Sequence, residues 1–351
     1  MAVVGPAGGR GGGRGLFAGR ALRAGEVAAE ELPLLAWPSE AFAGVCCARC
    51  LRLCEGGTAA ACPRGCGSAV FCSEACWQAA HTDPLCHSEG VCQGLRQLRE
   101  SSATTEERDA ARFILLAYSA KLYSPEAFSK LWTLVPAGHH CQQIRVEALA
   151  ELVTAILGHT AQASAEEVAA LLARDGANGF AIMGPRREDG ERQARGSAIY
   201  PGLAMANHEC LPNMVRFDDF DTPATWPFNM RLELRTIQAM PAGEELLLGY
   251  FPLDWDLEER RERLRDDYGF VCTCSRCQLE ASWEAEEEDA GPPAAAGGVT
   301  EDYLSVFFLK HVCPVEDCGG TMAPLDGDDG CVCNCCGHRR SDAEFLASLN
   351  E

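Results

Sequence analysis

A chain of 351 residues can bury a full core and has room for two or three compact units; no run of eighteen or more apolar residues offers a membrane-spanning helix. A net charge of -21 opposes nonspecific binding to nucleic acid and suits a cationic partner. Met1 to Gly15 is Gly- and Arg-rich without an apolar core, which argues against a secretory signal.

A monomer of the nucleus or cytoplasm is expected, without direct nucleic-acid or membrane contact. Thiols stay reduced there, so the 21 cysteines, many at close spacing, point to metal rather than disulfides. Zinc is the natural ion for thiolate-rich tetrahedral sites.

In chain order, Gly13-Arg14-Gly15-Leu16-Phe17-Ala18 and the stretch from Gly25 to Trp37 read as short strands, whereas the tract Gly8 to Gly13 reads as disordered. Cys47-x-x-Cys50, Cys62-x-x-x-Cys66 and Cys72-x-x-x-Cys76, followed by a His/Cys pair, supply ligands for two four-coordinate zinc ions. His81 with Cys86 and His87 with Cys92 have the same internal spacing. The later pair is chosen because helical sequence resumes directly after it. Cys46, Cys54 and Cys86 are then spare small hydrophobes.

Residues Leu95 to Leu172 read as helices. Apolar Phe113, Leu116, Ala117 and Ala120 share one face of Arg108–Leu122, and Val146–Leu157 repeats the pattern. His139, His140 and Cys141 are read as a structural or exposed cluster. Asn178-Gly179 opens a β-rich stretch, and Arg186 to Arg195 reads as a charged loop.

The next stretch is Asn207-His208-Glu209-Cys210-Leu211-Pro212-Asn213, a polar pair and a thiol in an apolar neighbourhood. Gly243-Glu244-Glu245 leads through an apolar strand to Tyr250, and a charged helix, Leu257 to Asp267, precedes Cys272-x-Cys274-x-x-Cys277. Three thiols do not complete a tetrahedron alone. The acidic run Glu284 to Asp289 reads as solvated, and Pro-, Ala- and Gly-rich sequence follows it as a linker. Cys313, Cys318, Cys333 and Cys336 form a two-knuckle zinc ribbon, with Cys331 and Cys335 as competing ligands or spares.

These residues resemble the N-H-x-C-x-P-N, G-E-E-x-x-x-x-Y and C-x-C-x-x-C motifs of SET-domain protein lysine methyltransferases, in the right order. The finger resembles the MYND type, and the middle-of-series His placement of a RING finger is missing. With the terminal ribbon, the chain looks most like the plant ASH1-related SET-MYND branch. The resemblance implies an α+β fold, with a SET β-fold split by a MYND zinc finger and a helical insertion, a post-SET zinc site and a C-terminal zinc ribbon. It divides the chain into 1–46 (N-terminal part of SET), 47–92 (MYND), 93–176 (helical insertion), 177–252 (SET core), 253–279 (post-SET), 280–300 (linker) and 301–351 (ribbon).

The resemblance also implies roles. Cys47, Cys50, Cys72 and Cys76 would hold one zinc, and Cys62, Cys66, His87 and Cys92 a second. Cys210 would join Cys272, Cys274 and Cys277 around a third. Arg14, Gly15, Asn178, Asn207, His208 and Phe270 would line an S-adenosylmethionine pocket, Tyr268 the lysine channel, and Tyr250 would be catalytic. Ala204, Ala206 and Glu209 depart from the residues usual at those positions. The expected partner is a lysine-containing protein, histone or not, with a Pro-rich peptide at the finger. A noncatalytic adapter binding Pro-rich peptides is the competing class.

Overall fold

The strand read at Gly13 to Ala18 is one arm of an antiparallel hairpin, in which β1 (Ala2–Pro6) pairs with β2 (Arg14–Ala18) and Gly5 faces Gly15. The Gly- and Arg-rich start thus carries a strand that its composition hides. The computed structural model describes residues 2–7, 13–54, 59–136, 144–158, 160–184, 192–218, 220, 230–286, 299–327 and 329–349. The tract 8–12, the cluster His139, His140 and Cys141, residues 186–191 of the charged loop and residues 287–298 of the linker lie outside the described residues.

A five-stranded sheet runs in the order β3-β11-β10-β12-β9, built from β3 (Val27–Glu31), β9 (Asn207–His208), β10 (Met214–Asp218), β11 (Leu232–Thr236) and β12 (Leu247–Leu248). β12 lies parallel to both neighbours, Leu247 opposite Asn207 and Leu248 opposite Met214. It therefore slots between the two strands that flank the Glu209–Asn213 turn. A second sheet orders β4 (Leu35–Pro38), β8 (Ala194–Ile199) and β7 (Gly179–Met183) as β4-β8-β7. Arg195 corrects the loop expected up to that residue: it belongs to β8 and is fully buried, its guanidinium 5.8 Å from the Phe220 ring centroid.

Between the sheet segments sit the finger, with β5 (Ala60–Ala61), β6 (Val70–Phe71) and α1 (Glu74–Thr82), and the helices α2 (Glu89–Glu100), α3 (Thr105–Tyr123), α4 (Pro125–Trp132), α5 (Val146–Leu157) and α6 (Ala165–Asn178). α3 starts at a capping box in which Thr104 and Glu107 bond each other's backbone amides. It buries the Phe113, Leu116, Ala117 and Ala120 stripe together with Ile114, Leu115 and Tyr118. α6 runs to Asn178, two residues beyond the boundary expected at 176.

After Tyr250, α7 (Leu257–Tyr268) ends at Gly269 in the left-handed region (φ 73°), where glycine avoids a Cβ clash. α8 (Ser275–Glu286) carries the last thiol of the cluster, Cys277, in its first turn, then come α9 (Glu301–His311), a small sheet of β13 (Met322–Pro324), β14 (Cys331–Cys333) and β15 (Arg339–Arg340), and α10 (Asp342–Ser348). The ribbon is docked on the five-stranded sheet. Val215 and Ile237 share a buried cluster with Leu253, Phe307 and Ala323, and Asn334 donates to the Arg216 carbonyl at 2.9 Å. Gly25 makes that approach feasible. It has φ 77°, and a Cβ there would lie 2.6 Å from the Leu325 carbonyl carbon. Among the described residues no helix is long and apolar enough to cross a membrane.

Candidate active site and metal centres

Four groups of side chains converge with ligand atoms within 4.8 Å of one another: Cys47, Cys50, Cys72 and Cys76; Cys62, Cys66, His87 and Cys92; Cys210, Cys272, Cys274 and Cys277; Cys313, Cys318, Cys333 and Cys336. Metal–sulfur bonds of 2.3 Å in a tetrahedron put sulfurs about 3.8 Å apart, whereas a disulfide needs about 2.05 Å. The sulfurs lie 3.8 Å apart for Cys50 and Cys72, 3.7 Å for Cys62 and Cys92, 3.9 Å for Cys210 and Cys272, and 3.6 Å for Cys318 and Cys333. The clusters fit zinc. Burial, and then Cys66 and Cys62 beside it, push the Cys92 thiol up to about 12, a cost that a cation among the sulfurs removes. Burial lowers His87 to about 4, leaving a neutral imidazole whose Nε2 lies 3.4 Å from Cys62 Sγ.

The competing cysteines and histidine sit elsewhere. His81 stacks on Trp77 at 5.0 Å, and the Cys86 thiol donates to the Ala48 carbonyl. Cys331 and Cys335 fall outside the ribbon cluster. Gly320 marks how tightly the ribbon knuckles close, since a Cβ there would lie 2.4 Å from Cys333 Sγ.

The pairing of β9 with β12 brings Asn207 and His208 beside the chain that leads to Tyr250. Asn207 Nδ2 donates to Glu245 Oε1 at 2.7 Å and to the Arg14 carbonyl at 3.1 Å. Gly15 leaves room for this contact, because a Cβ would meet Glu245 Oε1 at 2.6 Å. His208 is buried and accepts the Tyr250 N–H on Nδ1 at 3.3 Å, with Nε2 3.2 Å from Cys210 Sγ. The Tyr250 hydroxyl donates to the Ala206 carbonyl at 3.0 Å. Burial, reinforced by Tyr268 and Glu245, raises that hydroxyl well above the usual tyrosine range, so it stays protonated. Tyr268 lies 4.7 Å from Tyr250 ring to ring, and Phe270, 39% exposed, lies 6.3 Å from His208.

Arg14 and Asn178 meet through a segment that the sequence did not single out. The Arg14 guanidinium donates to the Thr133 carbonyl, and Asn178 Nδ2 donates to the Val135 and Arg174 carbonyls, each at 2.8 Å. The stretch after α4 is thus a strap held from both sides. The charged helix α7 hides a second feature. Arg260 and Arg276 are both fully buried beside the segments that carry the Cys210 cluster. Arg260 reaches Cys277 Sγ at 3.7 Å, Arg276 holds the Leu253 and Trp255 carbonyls at 2.8 Å, and both pair with Glu280. The Arg260 guanidinium beside Cys277 would offset part of the negative charge left when a single zinc is held by four thiolates.

A family model of the SET domain matches residues 13–251. The chain belongs to the SET-domain family. This SET-domain chain is 32% identical over 386 aligned positions to the histone-lysine N-methyltransferase ASHR2 of Arabidopsis thaliana, covering 95% of itself and 94% of that protein. It is 34% identical over 123 residues to the N-lysine methyltransferase SMYD2 of Homo sapiens, a match spanning 35% of the SET-domain chain and only 25% of SMYD2. A solved SET domain of LSMT, bound to lysine and AdoHcy, is 14% identical with a TM-score of 0.32, covering 77% of this chain and 53% of that one. The SET fold here is α+β, interrupted after β4 by the finger and helices and followed by two more cysteine clusters.

Proposed function

We propose that the chain is an S-adenosylmethionine-dependent protein-lysine N-methyltransferase whose substrate is a lysine side chain of a histone or another protein. The observation that carries this reading is the convergence of Asn207, His208 and Tyr250 beside the Cys210 cluster. Its 32% identity to ASHR2 over nearly the whole chain supports it. The net charge of -21 suits a basic protein partner.

S-adenosylmethionine supplies a methyl group on sulfonium when bound. Arg14, Gly15, Asn178, Asn207, His208 and Phe270 would line its pocket, and the exposed Phe270 ring offers a flat apolar face for it. Tyr250 and Tyr268 form the walls for the incoming lysine. A lysine amine has a pKa of about 10.4 in water, and an apolar aromatic channel favours its neutral, nucleophilic form. The Tyr250 hydroxyl donates its hydrogen bond to the Ala206 carbonyl, so its lone pairs are free to accept an amine N–H and aim the nitrogen. Zinc at Cys210, Cys272, Cys274 and Cys277 would pin the segment that carries Tyr268 and Phe270.

The other three clusters would hold zinc as structural sites, and the finger would take a Pro-rich peptide. The protein would act as a monomer in the nucleus or cytoplasm. Titration with S-adenosylmethionine, followed by transfer of labelled methyl groups into a proteome, tests the reading. Saturable binding with label on lysine is expected. Binding without transfer to any protein would leave the noncatalytic adapter.

A further inference from the structure

We propose that the His208 ring is a positioning residue that ties the Cys210 metal site to Tyr250. The inference rests on the methyltransferase reading and deepens it.

Because Nδ1 accepts the Tyr250 N–H, it carries a lone pair, and a neutral imidazole then keeps its proton on Nε2. That Nε2–H faces Cys210 Sγ at 3.2 Å, an N–H donor directed at a metal-ligating thiolate. One tautomer and one ring orientation satisfy both bonds. The ring is 3% exposed and lies against Tyr250 and Phe251 at 5.1 and 4.7 Å, so packing holds it there.

Tyr250 is consequently fixed at both ends by one short segment. Its amide is held by His208 and its hydroxyl by the carbonyl of Ala206. The same segment ends at Cys210, whose sulfur also lies 3.5 Å from Cys277 Sγ. Loss of the metal frees Cys210, withdraws the partner of Nε2–H and lets Tyr250 turn. The family resemblance implies a cofactor-pocket role for this histidine; its side chain has a second task, joining the thiolate cluster to the tyrosine.

Two amide replacements separate the two bonds. Asn at 208 brings a carbonyl oxygen close to the Nδ1 position and keeps the Tyr250 bond, while Gln brings an N–H close to the Nε2 position and keeps the thiolate bond. In the zinc-loaded full chain, His208→Asn should release one zinc to a chromogenic chelator about ten- to hundredfold faster than wild type. His208→Gln should release zinc at the wild-type rate while kcat falls about tenfold or more.

Wild-type zinc release from the Asn variant, or a raised KM with unchanged kcat in the Gln variant, overturns the proposal. A third reading survives poor folding of either variant. With the wild-type chain carrying fluorotyrosine, stripping this zinc should shift the 19F resonance assigned to Tyr250 by its loss in Tyr250→Phe, and an unmoved resonance overturns the link. If the wild type transfers no methyl group, the functional reading fails, while the chelator and 19F measurements still decide the link.

Discussion

Asn213 clamps Leu247: its side-chain oxygen accepts the Leu247 N–H at 2.8 Å while its amide donates to the Glu245 carbonyl at 2.9 Å. One nearly buried side chain thereby holds β12 in the slot between β9 and β10. Asn213→Ala leaves two backbone groups without partners and should cost about 2–4 kcal/mol, read as a lower urea midpoint at unchanged m-value. Methyl transfer should fall in parallel, since Tyr250 follows β12 by only two residues. An unchanged midpoint would mean that the strands cross here without this clamp.

Tyr250→Phe removes the hydroxyl and its bond to Ala206 but keeps the ring against Tyr268 and His208. The kcat for methyl transfer should drop by about a hundredfold or more, with the circular dichroism spectrum and cofactor affinity near wild type. Retained activity would remove Tyr250 from the chemistry.

Each of the four clusters has the ligand number and spacing of a closed zinc site. Metal analysis of the purified chain should find about four zinc ions, and a value near two would mean that the cysteine pairing is wrong. The finger's core is mostly its own cysteines with Phe71, Ala69 and Ala80, so chelation should unfold it. Cys86→Ser should leave the zinc content unchanged, because that thiol bonds the Ala48 carbonyl instead.

Gly25→Ala should detach the ribbon before it disturbs the sheets. The added methyl meets the backbone at Leu325 and Asp326 at 2.6 and 2.7 Å, in a left-handed conformation that already disfavours alanine. The expected cost is about 1–3 kcal/mol. It should appear as faster hydrogen exchange in β13, and protection equal to wild type would show that the backbone shifts freely at this turn.

Asp175 lines a cavity of about 250 Å³ with Trp37, Asp109 and Leu172, and burial pushes its carboxyl up from 3.8 to about 7. The folded protein therefore holds a proton that the unfolded chain has released above pH 4. Its contribution to stability falls as pH rises through that window and is lowest above pH 7. Asp175→Asn should accordingly stabilise the protein most at pH 8, by about 1–2 kcal/mol given the residue's partial exposure, with a smaller gain at pH 6. Equal Tm gains at both pH values would contradict a raised carboxyl.

The ligand pairs were legible because metal binding demands particular side chains at short spacing, whereas their grouping around each ion, with Cys210 joining three thiols far along the chain, came from the family resemblance. The helical stripes were legible for a similar reason: Val146–Leu157 folds with the bounds that its apolar spacing sets. Charge misled where burial reversed its usual meaning. Arg195 and Arg260 sit in segments read only as a charged loop and a charged helix, and Arg276 lies inside the Cys272-x-Cys274-x-x-Cys277 motif, yet all three are fully buried. Their partners are the Phe220 ring, backbone carbonyls and, for Arg260, a thiolate, and none of these is a pattern in the local sequence. Arg14 and Asn178 were singled out through resemblance, but the strap joining them at Thr133 and Val135 lies in the sequence between them and carries no motif. The strand Ala2–Pro6 was hidden because Gly and Pro weaken the alternation that marks a strand.

The ion pair between Arg23 and Asp326, at 2.7 Å, joins residues 303 positions apart. At synthesis rates of roughly 5–20 residues per second, Arg23 waits on the order of 15–60 s for its partner to be made. During that interval the face of the sheet around Val215 and Ile237 lacks Phe307 and Ala323, and the thiols of the two later clusters can meet metal or oxidant one at a time. Such a chain should depend on zinc supply and on holding factors during translation more than its finished stability suggests, and its yield in a heterologous host should follow the metal in the medium.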